Sequence, residues 1–159
     1  SLLKLGRLTE PVEALETTVR LGPDLAYGWI NLGEAQLRSK NLGQAIPALE
    51  RAIVLAPAAA DARFYLSQAY LAARLPAKSR EHAQFLLARQ QVQIPAQGII
   101  AMSYLLEGDS AAAKTAYLKL KAAAPAVARN LREQAIASKL PAAMYLPELI
   151  RITSCWRLQ

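Results

Sequence analysis

Apolar residues recur along this chain at helical spacing, with small residues between them at fixed places. From Ala26 to Ser39 the apolar members are Ile30, Leu32 and Leu37, with Gly33 and Ala35 between. From Gln44 to Leu55 they are Ala45, Leu49, Ala52 and Ile53, a stripe that suits one face of a helix. Lys40-Asn41-Leu42-Gly43 reads as the turn between the two, and Ala56-Pro57 as the stop. Helices of this length joined by so short a turn pack as an antiparallel pair.

The pattern then returns, without gaps, every thirty-four residues. Leu32, Leu66 and Ile100 are large and aliphatic; Gly33, Ser67 and Ala101 are small; Leu37, Leu71 and Leu105 match. Ala45, Ser79 and Ala113 are again small. Pro23, Pro57 and Pro125 share one position of the period, with Gln91 standing in the missing place. Close approach of two helices needs small side chains, so Gly33 and Ala45 are expected at the contact within a pair. Ala52 is expected against the first helix of the following unit, with Leu32 and Leu49 filling the space on either side.

Trp29, Leu32, Gly33, Ala45, Leu49, Ala52 and Pro57 resemble the tetratricopeptide repeat signature in type and spacing. The resemblance covers roughly residues 1–127 and implies an all-α fold, an α-α superhelix that is a right-handed solenoid. It divides residues 1–140 into a partial repeat 1–25, full repeats 26–59, 60–93 and 94–127, and a capping helix 128–140. Repeat three inverts the large-then-small pair of the second helix into Ala83 and Leu86, as volume compensation allows. The last helix has Val127, Leu131, Ile136 and Leu140 as its apolar members, and a solenoid end needs such a cap. Residues 141–159 form a tail or the start of a further segment. Pro141 and Pro147 interrupt it, and a short helix is expected near Leu146 to Thr153.

The resemblance also implies that the first helix of each pair lines a concave groove. Its partner-binding candidates are Tyr27, Ile30, Asn31, Glu34 and Arg38 from repeat two, Asp61, Phe64, Tyr65 and Gln68 from repeat three, and Met102 from repeat four. For Ile30, Tyr65 and Met102 ordinary packing competes evenly with contact. Some relatives grip a chaperone's C-terminal carboxylate with Lys, Asn and Arg on successive first helices. Asn31 stands where one such Asn would be, but Asp61 and Tyr65 take the following basic positions, and an acid there repels a carboxylate.

Composition narrows the chemistry. Hydrophobic residues make up 53% of the 159 residues and charged ones 19%, which excludes a disordered chain. No apolar run is long enough to span a membrane. A lone cysteine, Cys155, excludes an internal disulfide and a multi-cysteine metal site, and a lone histidine, His82, excludes His-rich zinc or haem ligation. No nucleophile motif and no phosphate-binding glycine loop occurs. Glu10, Glu13 and Glu16 read as a solvated acidic face. No catalytic residue, cofactor or metal is therefore expected. The net charge of +7 favours acidic partners and does not name one.

These readings converge on a non-catalytic protein–protein interaction scaffold that binds a peptide or helix of a partner. A recognition arm of a larger bacterial enzyme or of an envelope or secretion assembly system is the alternative, with the Ala- and Arg-rich composition hinting at a bacterial source. An RNA-binding helical repeat fits less well, because the candidate groove carries Glu34 and Asp61 and few bases, so no nucleic acid is expected. The chain opens on Ser1 in the middle of a repeat, which suggests a fragment or processed form and leaves the compartment open. Leu2, Leu5, Leu8 and Leu15 would lack a partner helix, and self-association through them is expected unless upstream residues cover them.

Overall fold

A computed structural model describes residues 12–146. They form eight α-helices: α1 (Val12–Leu21), α2 (Ala26–Arg38), α3 (Leu42–Leu55), α4 (Ala60–Ala72), α5 (Pro76–Ala88), α6 (Gln93–Glu107), α7 (Ser110–Ala123) and α8 (Pro125–Ala137). A 3-10 turn, Pro141–Tyr145, follows. No strand occurs among the described residues, and the all-α expectation holds. The chain divides into two compact units, with the boundary in sequence between Ala73 and Arg74.

In the first unit α2 packs on α1 and α3, and α3 packs on α4. Leu15, Val19, Leu32 and Ala48 form one core cluster; Leu49, Leu66, Ala69 and Tyr70 form the next. Leu15 was expected to lack a partner but is only 5% exposed, because it packs in one cluster with Leu32 of α2, the helix that lies on α1. Leu2, Leu5 and Leu8 lie outside the described residues. Gly33 does permit a close approach, although its neighbour is Leu49 rather than Ala45: a Cβ at Gly33 would stand 2.4 Å from Leu49 Cγ. Ala45 and Ala52 are fully buried.

In the second unit α6 packs on α5 and α7, and α8 packs on α6 and α7. Ala113, Tyr117, Leu120, Ala128, Leu131 and Ala135 belong to one cluster with Ala142, Ala143 and Leu146. The last helix begins at Pro125, not Ala128, because proline is preorganised for the first helical position, where its missing N–H costs nothing. The helix buries Ala128, Leu131 and Ala135, which share one face at i, i+3 and i+7, and leaves Val127 and Ile136 to either side of it exposed. Leu146 is fully buried in extended backbone, and the rest of the tail helix expected to Thr153 lies outside the described residues.

The turns close by a common device. After α2, Asn41 N–H donates to the Gln36 carbonyl and Lys40 N–H to that of Leu37, with Lys40 at φ 59°. The same pair of bonds closes α5 around Gln90 and α8 around Lys139. This is the left-handed closure that satisfies the last carbonyls of a helix. Gly43, expected in the turn, lies inside α3, and Lys40 takes the strained backbone instead. Among the described residues only Gly108, at φ 80°, places a glycine where this closure favours one.

Candidate functional site

Tyr27, Asn31, Glu34 and Arg38 lie four, three and four residues apart on α2, which puts them on one face. Asp61, Tyr65 and Gln68 repeat the register on α4, and α2 and α4 are in contact. The structure brings Glu34, Arg38 and Tyr65 together. Glu34 is 6% exposed, and its Oε1 lies 2.7 Å from Arg38 Nη2. The Tyr65 hydroxyl donates to Glu34, and its pKa is pushed up to about 12. Burial is the main cause; the hydrogen bond and the charges of Glu34 and Asp61 add to it, while Arg38 opposes them. Glu34 thus ties α2 to α4 rather than offering an open carboxylate.

Around this tie lie surfaces a partner could touch. Tyr27 is 56% exposed, Asp61 is exposed, and Ile30, Phe64 and Gln68 are half-buried. The Phe64 and Tyr65 rings stand 5.6 Å apart and tilted by 53°. Asn31 Oδ1 is a buried acceptor without a donor. Met102 lies in the second unit, where it packs half-buried against that unit's core.

The second unit holds a feature that the groove expectation did not include. In the first unit each first helix clasps the proline six residues before it. Trp29 Nε1 donates to the Pro23 carbonyl at 2.8 Å, and Arg63 Nε to that of Pro57 at 2.9 Å. The third copy of this pair is Gln91 and Gln97, and the Oε1 atoms of both are buried without donors. Beside Gln97, Ile100 is half-exposed, whereas its repeat equivalents Leu32 and Leu66 are buried. Gln97, Ile100 and Tyr104 of α6, Leu87 of α5, and Ala112 and Lys119 of α7 line a cleft of about 600 Å³. Arg80 fixes the Tyr104 ring from one side: its Cζ lies 4.3 Å from the ring centroid, and its guanidinium bonds Glu107 at 2.7 and 3.0 Å. The signal was present in sequence, since Gln91 interrupts the proline position; what it opens was not.

Charge separates the two units as well. Residues 1–73 carry seven Lys and Arg against seven Asp and Glu; residues 74–159 carry twelve against five. The whole net charge of +7 therefore belongs to the second half of the sequence. Among the described residues no group of His, Cys, Asp and Glu is placed to hold a metal ion. No helix among them is long and apolar enough to cross a membrane.

Helical pairs that recur in register define a helical repeat. A profile of the tetratricopeptide repeat matches residues 1–56 and again 39–91, more than half of the chain. The chain belongs to the tetratricopeptide repeat family, whose repeats generally mediate protein–protein interaction and which is typically non-enzymatic. No curated protein matches it.

Proposed function

We propose that this chain is a non-catalytic scaffold that binds a peptide or short helix of a partner protein on the first-helix face of α2 and α4. The observation that carries the reading is the juxtaposition of Tyr27, Phe64 and Tyr65 with Asn31 and Gln68. Aromatic rings give large contact area at low entropic cost, and amides pair with a peptide backbone. The Asn31 acceptor supports this, because a partner N–H would satisfy it. The Glu34 tie to Tyr65 and Arg38 holds the two helices in place for the contact.

The test is a titration of partners recovered by pull-down against purified variants. Tyr27→Ala with Phe64→Ala should weaken binding about tenfold or more. Arg51→Ala with Arg129→Ala, both exposed and on other helices, should leave it unchanged. Arg80 is unsuited as such a control, because it bonds Glu107 and covers Tyr104. Binding lost with the arginine pair and kept with the aromatic pair would overturn the reading.

A further inference from the structure

We propose that the cleft between α5, α6 and α7 is a second docking site, which takes an acidic amphipathic segment of another protein. It lies on different helices from the α2–α4 face and does not depend on that reading. Three independent observations point to an occupant.

The first is a local break in the repeat. A buried aliphatic position becomes half-exposed at Ile100, and the alanine side of α7 leaves room beside it. About 600 Å³ is enough for one or two large side chains of a partner. The second is the lost clasp. Where Trp29 and Arg63 spend their N–H groups on a proline carbonyl, Gln97 keeps a buried acceptor without a donor. A buried acceptor left open costs free energy that a partner's N–H would recover. The third is charge. Lys119 is exposed at the rim, and no carboxylate among the described residues pairs with it. Asp109, the one acid in the lining, accepts from the Ala112 N–H at 3.0 Å and so offsets the start of α7. The half of the sequence that forms this unit holds the full net positive charge.

These observations fix the occupant's chemistry. An aliphatic or aromatic side chain seats on Leu87, Ile100 and Ala112, a partner N–H reaches Gln97, and a carboxylate meets Lys119. A nucleic acid fits poorly, because the lining offers one cation and one acid rather than a row of cations at phosphate spacing.

The probe is a short fluorescein-labelled amphipathic peptide with leucines at helical spacing and glutamates between them; the control replaces every glutamate by lysine. Fluorescence anisotropy on the full chain should show saturable binding of the glutamate peptide only. Ala112→Leu, which fills the cleft, and Lys119→Glu, which reverses the rim charge, should each weaken it about tenfold or more. Lys119→Glu should also gain binding of the lysine peptide. Tyr27→Ala with Phe64→Ala should change nothing, which separates this site from the first-helix face. Circular dichroism melts confirm that the variants fold, and Lys119 is exposed enough for its change to be silent there. Four results overturn the proposal: no saturable binding of the glutamate peptide by about 1 mM, equal binding of both peptides, indifference to both cleft variants, or loss with the aromatic pair. Oligouridylate binding that depends on Lys119 while the glutamate peptide fails to bind overturns it in favour of a nucleic-acid surface.

Discussion

The two units of this chain are built from the same repeat and differ in how they close it. The first packs Leu49 onto a bare glycine backbone, clasps two prolines and is charge-neutral by sequence. The second lacks the clasp, joins α5 to α6 through a guanidinium, and carries the net charge. The lesson is that a repeat signature is carried by steric positions, whereas binding character resides in positions the signature leaves free. The proposed contacts at Tyr27 and Lys119 fall at such positions, and nothing about Leu32 or Leu66 anticipates them.

The largest expected contrast is at glycine. Gly33→Ala should destabilise by about 2–3 kcal/mol through overpacking, because the new Cβ meets Leu49 at 2.4 Å in a buried contact. Gly98→Ala should do the opposite, stabilising by up to about 1 kcal/mol, since its Cβ meets only Leu131 Cδ1 at 3.9 Å and alanine is the better helix former. Urea denaturation of both variants reads the signs. Destabilisation at both positions would show that the two units tolerate their helix contacts alike.

Next comes the joint of the second unit. Arg80→Ala should cost about 1–2 kcal/mol, because it removes a two-pronged, partly buried ion pair and the cation over Tyr104. Arg38→Ala in the first unit should cost no more than about 0.5 kcal/mol, since Arg38 is 59% exposed and reaches Glu34 along its own helix. Equal losses would mean that the exposed pair matters as much as the bridging one. The clasp gives a third contrast. Trp29→Phe should cost about 1 kcal/mol through the lost bond to Pro23, while Gln97→Leu should be neutral or stabilising because it deletes a buried acceptor without a donor. Thermal melts of the two variants would decide it.

Much of this architecture was legible in sequence for a physical reason. Helix contacts demand small residues, so Gly33, Ala45, Ser79 and Ala113 mark the pairs wherever they recur, and all are buried. Turn positions were harder to read. Gly43 looked like the turn residue, but the carbonyls at the end of α2 place the left-handed backbone at Lys40, and a lysine tolerates it there. The first-helix face was legible as a register of residues and not as a set of bonds. Glu34 reads as a surface acid at its position, and only the approach of α4 shows it buried beneath Tyr65. The cleft was not legible because Gln97 and Ile100, which line it, are ordinary helix residues in sequence, and only the packing of α5, α6 and α7 shows the space beside them.

The smallest expected effect concerns pH, and it also separates the units. The first unit ties α2 to α4 through the Tyr65 hydroxyl, whose pKa of about 12 lies above the ordinary value of 10.0. Below pH 10 folded and unfolded chains both hold this proton, so the full contribution of the tie is present. As pH rises from 10 to 12 the unfolded chain releases the proton and the folded chain keeps it, so stability falls across that window. The loss should stay under about 1 kcal/mol at pH 11, because Tyr65 is only half-buried and solvent screens the charges around it. The tie between α5 and α6 behaves differently. Glu107 holds the Arg80 pKa above its ordinary value, so that pair stays charged throughout the same window. Other tyrosines and lysines titrate there too, so the informative quantity is a difference. Denaturation midpoints of the parent chain and of Tyr65→Phe should converge between about pH 9 and pH 11, because the variant loses the hydrogen bond to Glu34 but has no proton to lose. Parallel midpoints across that range would mean that the hydroxyl titrates alike in both states and that Glu34 is not its partner.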